Sequence, residues 1–213
     1  THILDDVMKV NSANNGDIAS VTTKNNGALT GDFFIDCSGF ASILIGKHYQ
    51  VPFIEQLDTL FVDTALAVQV PYESDNSPIS PVTQSTATSA GWIWDIGLIN
   101  RKGVGHVYSS RHITESQAEQ ALVNYLGAQG KDAQLTKIPI KPGHRSHPWE
   151  KNCLAVGLSA GFLEPLEASA IVQVELAAQW LCEQLPTTRP AMSMIAKRFN
   201  QEFSYRWEKI IEF

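Results

Sequence analysis

The feature that most constrains the fold is an apolar run that does not alternate with polar residues. The sequence FFI at residues 33–35 leads directly into DCSG at residues 36–39. An unalternated apolar strand is buried on both faces, as in the parallel sheets of α/β proteins. Ligands often bind where such strands end in tight turns. The run therefore predicts a strand buried on both faces, with a ligand site near Ser38 and Gly39.

The other strand patterns are those of antiparallel pairs joined by short turns. The predicted strands are residues 18–23, 29–36, 60–70, 91–99, 104–110 and 134–140. Asn-Asn-Gly at residues 25–27 predicts a hairpin between the first two, and residues 100–103 predict a second hairpin within a meander. We therefore expect an antiparallel meander in addition to the buried strand.

Three segments have helical patterns. Thr114 and Gln117 form a capping box for a helix that Gly127 ends. A second helix precedes Pro186, and its apolar stripe is predicted to comprise Ile171, Val174, Ala178, Leu181 and Leu185. The segment 191–213 is predicted to be an amphipathic helix, because apolar residues recur there at helical spacing. These residues are Met192, Ile195, Phe199, Phe203, Ile210 and Ile211.

Charge and cysteine usage exclude several classes of protein. The 16 basic and 22 acidic residues give a formal charge of −6 without a basic cluster, which excludes a nucleic-acid-binding surface. Cys37, Cys153 and Cys182 lie far apart and lack C-x-x-C spacing, so we expect a reducing, cytoplasmic environment and no metal site. The sequence also lacks a membrane-spanning apolar run and a signal-peptide pattern, so no membrane partner is expected.

The stretch GLSAGFLEPLEASAI at residues 157–171 follows a short buried strand, LAV at residues 154–156. A strand, a small-residue turn and a helix bring backbone N–H groups close to an anion or cofactor. The glycines alone fit a tight connection without a ligand equally well. Either Glu164 or Glu167 alone fits a helix cap, but two carboxylates within an apolar run favour a functional role.

Trp92 and Trp94 stand two residues apart on a predicted strand. Side chains at this spacing share one face of a sheet, so the two indoles are expected to lie side by side. Core packing is one explanation of the pair. A wall for a flat aromatic substrate or a flavin is the other.

Four stretches in the same order resemble the flavin-dependent tryptophan halogenases. They are GDFFIDCSGF at residues 31–40, GWIWDIGL at 91–98, VYSSRHITESQAEQALVNYLG at 107–127 and WEKNCLAVGLSAGFLEPLEASAI at 149–171. The resemblance implies the α/β class, here as an α+β part at the end of an FAD-binding monooxygenase-like fold with an antiparallel substrate sheet and flanking helices. It also implies that reduced FAD and dioxygen oxidise chloride to hypochlorous acid, which chlorinates tryptophan or another electron-rich aromatic compound.

The resemblance assigns site residues by motif position. Glu167 matches the catalytic glutamate, and the backbone N–H groups of Ser169 and Ala170 match the chloride site. Trp92, Trp94 and Ile96 match the W-x-W-x-I-P marker, which lines the route between flavin and substrate. The residues that match flavin-contacting positions are Ser38, Gly39, Gly157, Leu158, Ser159, Ala160 and Gly161. A carboxylate at the substrate can stabilise a cationic intermediate and accept its proton.

The resemblance also implies an organisation of the whole chain. Residues 1–59 would end the FAD-binding domain, 60–148 would form the substrate sheet, 149–186 the flavin and chloride site, and 187–213 the start of a helical region. The implied partners are a flavin reductase and a small aromatic substrate, with the oligomeric state open between monomer and homodimer. The FAD motif G-x-G-x-x-G and the catalytic lysine match no stretch here, so the chain by itself is expected to be inactive.

Three positions depart from the family pattern. Gly97 stands where proline is usual, and Ser169 and Ala170 stand where threonine and glycine are common. These departures leave the substrate and the choice between chloride and bromide open. Gly97 also leaves a flavin-dependent aromatic hydroxylase as an alternative to a halogenase. The lack of the FAD motif leaves a second alternative, a non-catalytic part that binds flavin or an aromatic compound.

Overall fold

The computed structural model describes residues 1–74, 76–130, 133–166 and 169–213. The strands are β1 (Val7–Ser12), β2 (Ile18–Thr23), β3 (Gly27–Thr30), β4 (Phe34–Asp36), β5 (Phe53–Glu55), β6 (Thr64–Pro71), β7 (Gln84–Thr88), β8 (Gly91–Gly97), β9 (Arg101–Tyr108), β10 (Thr136–Pro139), β11 (Gly143–Arg145), β12 (Trp149–Glu150), β13 (Cys153–Ala155) and β14 (Gly161–Phe162). The α-helices are α1 (Glu115–Leu126), α2 (Ser169–Gln184) and α3 (Arg189–Glu212). The chain forms two compact units, residues 1–55 with 143–213 and residues 56–142.

The first unit contains three small sheets. Their strand orders are β1-β2-β3, β14-β11-β5 and β12-β13-β4. In the last of these, β13 runs parallel to β4 and antiparallel to β12. The second unit contains one five-stranded antiparallel sheet, ordered β10-β6-β9-β8-β7. The expected α/β class with an antiparallel sheet and flanking helices is thus confirmed.

The core of the first unit lies between the sheet β12-β13-β4 and the helices α2 and α3. Trp149 is its centre, with ring centroids 5.0 Å from Phe33 and 5.6 Å from Phe199. Phe199 also stacks on Phe203 at 4.0 Å. Aromatic rings of this size bury a large apolar area each, so the cluster fixes both helices on the sheet.

The buried face of α2 differs from the predicted stripe. Gln173 and Ala177 are buried, whereas Ile171 is 70% exposed and Leu185 is 54% exposed. The prediction is wrong because α2 has apolar residues on most of its circumference, so the pattern does not single out one face. The helix does end before Pro186, as predicted.

The helix α3 confirms most of its predicted apolar face. Met192, Phe199 and Phe203 are buried, and Trp207 extends the same face although the sequence pattern did not include it. In the part of the chain that the structure describes, no helix combines the length and the apolar character needed to cross a membrane.

The first hairpin is shorter than predicted. The strands β2 and β3 pair from Ser20 with Thr30 to Thr23 with Gly27, and Gly27 has the expected positive φ of 72°. The predicted strand 29–36 is wrong as one element, because β3 ends at Thr30 and β4 belongs to another sheet. Local apolar patterns do not show which sheet a strand joins.

In the second unit, α1 covers one face of the five-stranded sheet. The capping box is present, with the Gln117 N–H donating to the Thr114 side chain and the Gln117 side chain accepting from the Thr114 N–H, as predicted. Ala118 and Leu122 pack on the sheet residues that face α1. These sheet residues are Leu66, Val68, Val70, Ile93, Val104 and Tyr108. Residues 101–103, predicted as a turn, instead begin β9.

Candidate functional site

The parallel strands β4 and β13 end side by side. Their register pairs Phe34 with Cys153 and Asp36 with Ala155. Each strand is followed by a short 3-10 turn, at Gly39–Ala41 and at Gly157–Ser159, and the two turns contact each other. The structure thus brings together the two stretches in which cofactor residues were predicted, although they lie far apart in the sequence. Carboxyl ends of parallel strands are a common place for ligands.

Asp36 organises the first turn and was not singled out by sequence reasoning. Its carboxylate accepts hydrogen bonds from the N–H groups of Leu44 and Ile45 at 2.8 Å. It also accepts from the N–H and hydroxyl groups of Ser38 at 3.0 and 2.5 Å. The side chain is buried, so these donors compensate the loss of water around the charge. The available signal was an aspartate two residues before a serine at a strand end, which is typical of a side-chain turn.

Ser159 joins the two turns. Its hydroxyl donates to the backbone carbonyl groups of Asp36 and Val156, and its own carbonyl accepts a hydrogen bond from the Ser42 hydroxyl at 3.2 Å. The residue is 1% exposed. Ser159, predicted as a cofactor contact, therefore has its side chain committed to holding the turns together.

The glycines of both turns leave open space beside the backbone. Gly39 and Gly157 have φ angles of 65° and 72°, which favour glycine. A Cβ atom at Gly39 would meet nothing within 4 Å, and one at Gly157 would lie 3.5 Å from Val174. Phe40 and Leu158 stand beside these glycines and are 50% and 38% exposed. Accessible backbone next to exposed apolar side chains fits a cofactor that has a flat ring and phosphate groups, such as FAD.

The remaining residues of the second turn face inward. Ala160 is buried, and a Cβ atom on Gly161 would lie 2.7 Å from the His144 Cβ atom. Gly161 is thus a glycine because β14 lies close to β11 at this point. Of the predicted contacts in this turn, Gly157 and Leu158 are the most accessible to a cofactor, while Ala160 and Gly161 support them from behind.

The helix α2 begins near the second turn. Ser169 and Ala170 are its first residues and are half-buried. Ala170 and Gly157 line the same small cavity, so one of the two predicted halide residues lies beside the predicted cofactor turn, while Ser169 lines a separate groove. Glu167, the predicted catalytic residue, lies outside the described residues. Glu164 accepts a hydrogen bond from the N–H group of Leu166 at 3.1 Å.

In the second unit, Trp92 and Trp94 share one face of β8. Ile93, between them, packs towards α1, so the two indoles lie on the opposite face of the sheet. Their ring centroids are 6.2 Å apart in an edge-to-face arrangement. The predicted shared face is confirmed, and packing against α1 does not explain the pair. Ile96 lies on the same face and is 39% exposed.

The indole of Trp94 lies over Gly105 on the neighbouring strand. A Cβ atom at Gly105 would come within 2.1 Å of Trp94 Cζ2. Trp94 also lines a groove of about 840 Å³ together with Ala67, Gln69 and Gly103. Small residues on β6 and β9 thus leave room for the Trp94 ring against the sheet, and the ring forms part of the wall of the groove.

Gly97 has a packing reason to be glycine. A Cβ atom there would lie 2.9 Å from Ile79 Cγ2, 3.1 Å from the Ser80 carbonyl oxygen and 3.2 Å from the Tyr72 hydroxyl. The segment that connects β6 to β7 therefore lies directly against Gly97. Proline, which carries a ring at this position, would require that segment to move.

Electrostatics excludes cysteine chemistry at the turns. Burial, followed by the neighbouring charge of Asp36, raises the pKa of the Cys37 thiol. Burial likewise raises the pKa of the Cys153 thiol well above its ordinary value. Both residues are therefore protonated at neutral pH and are poor nucleophiles. Among the residues that the structure describes, no three His, Cys, Asp or Glu side chains are grouped so that they could hold a metal ion.

Comparison with known proteins identifies similar chains. The family model described as tryptophan halogenase matches residues 1–213. The tryptophan 6-halogenase SttH of Streptomyces toxytricini is 39% identical over 185 residues, which are 87% of this chain and 35% of that protein. The tryptophan 7-halogenase RebH of Lentzea aerocolonigenes is 34% identical over 212 residues, which are 100% of this chain and 40% of that protein.

Solved structures agree with these relatives. A tryptophan halogenase from Shewanella frigidimarina NCIMB 400 superposes with a TM-score of 0.94 at 48% identity, covering 99% of this chain and 41% of that one. BrvH, a flavin-dependent halogenase from Brevundimonas sp. BAL3, has a TM-score of 0.90 at 35% identity, covering 98% of this chain and 42% of that one. The chain thus spans about two fifths of the length of the relatives it matches.

Proposed function

This chain belongs to the tryptophan halogenase family, and from that premise we propose that it is part of a flavin-dependent halogenase. The protein that contains it would use reduced FAD, dioxygen and chloride to chlorinate an electron-rich aromatic compound such as tryptophan. Residues 1–59 and 149–186 would contribute to the flavin and chloride site. Residues 60–148 would form the substrate sheet, and residues 187–213 would begin a helical region.

One observation carries this proposal. The parallel strands β4 and β13 end beside each other in two turns that are joined by Ser159 and contain accessible glycines of positive φ. Such a pair of turns offers backbone N–H groups to phosphate and space for a ring system without obstruction by side chains. Ser38, Gly39, Gly157 and Leu158 are the residues that would hold the flavin.

The chain would also position the halide and the substrate-directed carboxylate. Reduced flavin, when bound, would activate dioxygen, and dioxygen would supply the oxidising power that converts chloride to hypochlorous acid. The N–H groups of Ser169 and Ala170, at the positive end of the α2 dipole, favour a chloride ion nearby. Glu167, by its motif position, would stabilise the cationic ring intermediate and accept its proton.

The expected contribution of Glu167 is large enough to matter. A carboxylate about 4 Å from a positive charge, at an effective dielectric constant near 20, gains about 4 kcal/mol. This energy corresponds to roughly a thousandfold in rate. The Trp92, Trp94 and Ile96 face would offer the flat apolar wall that an indole or similar ring requires. A flavin reductase in the cytoplasm is the partner that would supply reduced FAD.

A flavin-dependent aromatic hydroxylase is the second candidate, and Gly97 is the observation that favours it. The marker that distinguishes halogenases has proline at this position. The contacts of Gly97 with Ile79 and Ser80 supply a local packing reason for the glycine, however, and require no change of reaction. A halogenase therefore remains the better supported proposal.

Product analysis separates the candidates. The full-length protein is supplied with FAD, a flavin reductase, NADH, dioxygen and tryptophan, with and without chloride, and the products are identified by mass spectrometry. A halogenase forms a chlorinated product only when chloride is present. A hydroxylated product independent of chloride would establish the second candidate, and neither product from tryptophan or a panel of indoles would support a non-catalytic role.

A further inference from the structure

A small enclosed cavity lies between the second turn and the helices α2 and α3. Its volume is about 20 Å³, and its wall includes backbone at Gly157 and Gly161 and the side chains of Ala170 and Phe203. Apart from the Trp207 indole, Gln173 is the only polar side chain among its described lining residues. The cavity thus lies between the predicted cofactor turn and Ala170, one of the two predicted halide residues.

Gln173 has a buried amide without a protein partner. The residue is 7% exposed, and neither its Nε2 nor its Oε1 atom makes a hydrogen bond within the described residues. A buried amide with no partner is strongly disfavoured, so native proteins satisfy such groups with protein atoms or bound water. An apolar side chain would fill the same place beside Ala170 and Ala177 without this cost. Gln173 therefore points to a ligand.

The chemistry of the amide selects the ligand. An anion would satisfy the Nε2 donor but would be repelled by the Oε1 acceptor, and a cation would have the opposite fault. A water molecule can accept from Nε2 and donate to Oε1 at the same time, and backbone groups of the turn can complete its hydrogen bonds. A cavity of about 20 Å³ suits one water molecule, for which roughly 10–15 Å³ of such volume is needed.

We infer that Gln173 binds one enclosed water molecule, which bridges α2 to the turn at residues 157–161. Gln173 lies one helical turn after Ser169, and side chains on a helix point back towards its N-terminus. The bridge therefore fixes the first turn of α2 against the turn that contains Gly157. Gln173 is a positioning residue for the N–H groups of Ser169 and Ala170, a role that rests on the proposed halogenase function.

The first test is structural and does not depend on activity. A crystal structure of the full-length protein at high resolution is expected to show an ordered water molecule in hydrogen-bond contact with the Gln173 amide and with backbone of residues 156–161. A Gln173 amide bonded directly to protein atoms, with nothing in the cavity, would overturn the inference. This result is independent of whether the protein halogenates any substrate.

The second test measures the Michaelis constant for chloride. Gln173→Leu removes the amide, so the KM for chloride is expected to rise about fivefold, the factor that matches one lost hydrogen bond. Gln173→Asn keeps the amide and gives space for a second water molecule, so it should retain most of the chloride affinity. Gln179→Leu is the matched control, because Gln179 is exposed on the same helix. This variant should leave the KM for chloride unchanged.

The outcomes are separable. Equal chloride KM values for Gln173→Leu and Gln179→Leu would overturn the positioning role. Failure of the parent protein to halogenate would overturn the proposed function and the halide role together, while the water site would still stand or fall by the crystal structure. If Gln173→Leu does not fold, Gln173→Met, which is unbranched and close to glutamine in length but has no amide, takes its place in the same comparison.

Discussion

Asp36 is the single residue on which the first turn depends most. One buried carboxylate accepts hydrogen bonds from three backbone N–H groups and one hydroxyl group, which belong to Ser38, Leu44 and Ile45. Hydrogen bonds to a charged acceptor are stronger than neutral ones. Asp36 therefore stabilises the conformation of Gly39, and with it one half of the proposed flavin site.

Replacing Asp36 by alanine should destabilise the protein and weaken flavin binding. The variant leaves the buried N–H groups of Leu44 and Ile45 without acceptors, so the free energy of unfolding should fall by about 3 kcal/mol. Chemical denaturation and titration with FAD measure the two effects in the full-length protein. Asp32→Ala, at an exposed position of the same segment, is the control and should change stability by less than about 0.5 kcal/mol. Similar losses in both variants would contradict this role.

At the scale of single residues, the sequence predicted the two glycine turns but not the residues that support them. Gly39 and Gly157 could be predicted because small residues after a buried strand are a local signal. Asp36 and Ser159 support the turns through hydrogen bonds to residues that are distant in sequence, and such partners leave no periodic pattern. The unpaired amide of Gln173 is visible only once the packing around it is known.

At the scale of elements, a prediction is correct where the determining interactions lie within one element. It is wrong or missing where they join distant segments. The helix α1 was predicted with its cap, because Thr114, Gln117 and Gly127 are signals within the helix itself. The parallel pairing of β4 with β13 joins residues far apart in the chain, and no local pattern specifies it. The buried face of α2 was predicted wrongly for a related reason. Packing against the sheet β12-β13-β4 and against α3 determines which face of α2 is buried.

The contact between the Trp94 ring and Gly105 can be tested by substitution. Gly105→Ala places a methyl group within 2.1 Å of the Trp94 ring and 2.6 Å of the Leu66 carbonyl oxygen. The free energy of unfolding should fall by about 2 kcal/mol, and the near-ultraviolet circular dichroism of tryptophan should change. Gly103→Ala is a matched control, because a Cβ atom at Gly103 on the same strand would meet nothing within 4 Å. Equal effects of the two substitutions would show that Trp94 does not lie on Gly105.

The start of α3 is tied to the β1–β2 turn by an ion pair. Arg189 donates two hydrogen bonds to Asp17, at 2.6 Å from Nε and 2.5 Å from Nη2. These bonds lower the pKa of Asp17 below its ordinary value of 3.8. The unfolded chain therefore binds more protons than the folded chain near this pH. The stabilisation is complete above the ordinary pKa and is lost as the pH falls through the lowered one.

The pH dependence of an Arg189 variant tests this contact. Arg189→Gln should reduce the free energy of unfolding by about 2 kcal/mol at pH 7, and the difference from the parent should shrink as the pH falls below about 4. Arg198→Gln, at an exposed position of the same helix, is the control and should show a small difference at every pH. A deficit for Arg189→Gln that is constant down to pH 2 would exclude the Asp17 contact as its cause.

At the scale of the whole molecule, the residues proposed for flavin and halide binding lie in one unit, and the residues proposed for the substrate wall lie in the other. Residues 1–55 with 143–213 contain the two turns and the start of α2, while residues 56–142 contain the face with Trp92 and Trp94. The class of fold and the family could be predicted from four short stretches, because those stretches combine strand ends with chemistry. The division into units depends on the pairing of β5 with β11, which the strand patterns did not indicate.

The chain by itself should not chlorinate tryptophan. It matches about two fifths of each relative, and the glycine-rich motif that grips the flavin pyrophosphate has no counterpart in it. Residues 1–213 are supplied with FAD, a flavin reductase, NADH, chloride and tryptophan, beside the full-length protein under the same conditions. Chlorotryptophan from residues 1–213 above the reductase-only control would contradict this expectation.

The most direct measurement of the central proposal compares the full-length parent with Glu167→Gln and Glu164→Gln. Chlorinated product is quantified by mass spectrometry, and hypochlorous acid is measured with a trapping reagent in the same reactions. The proposal predicts that Glu167→Gln forms hypochlorous acid at the parental rate but loses at least about 99% of the product, since a carboxylate at the substrate contributes roughly a thousandfold. Glu164→Gln should retain most of the product, because its amide oxygen can still accept from Leu166. Equal product formation by Glu167→Gln and the parent would contradict the account.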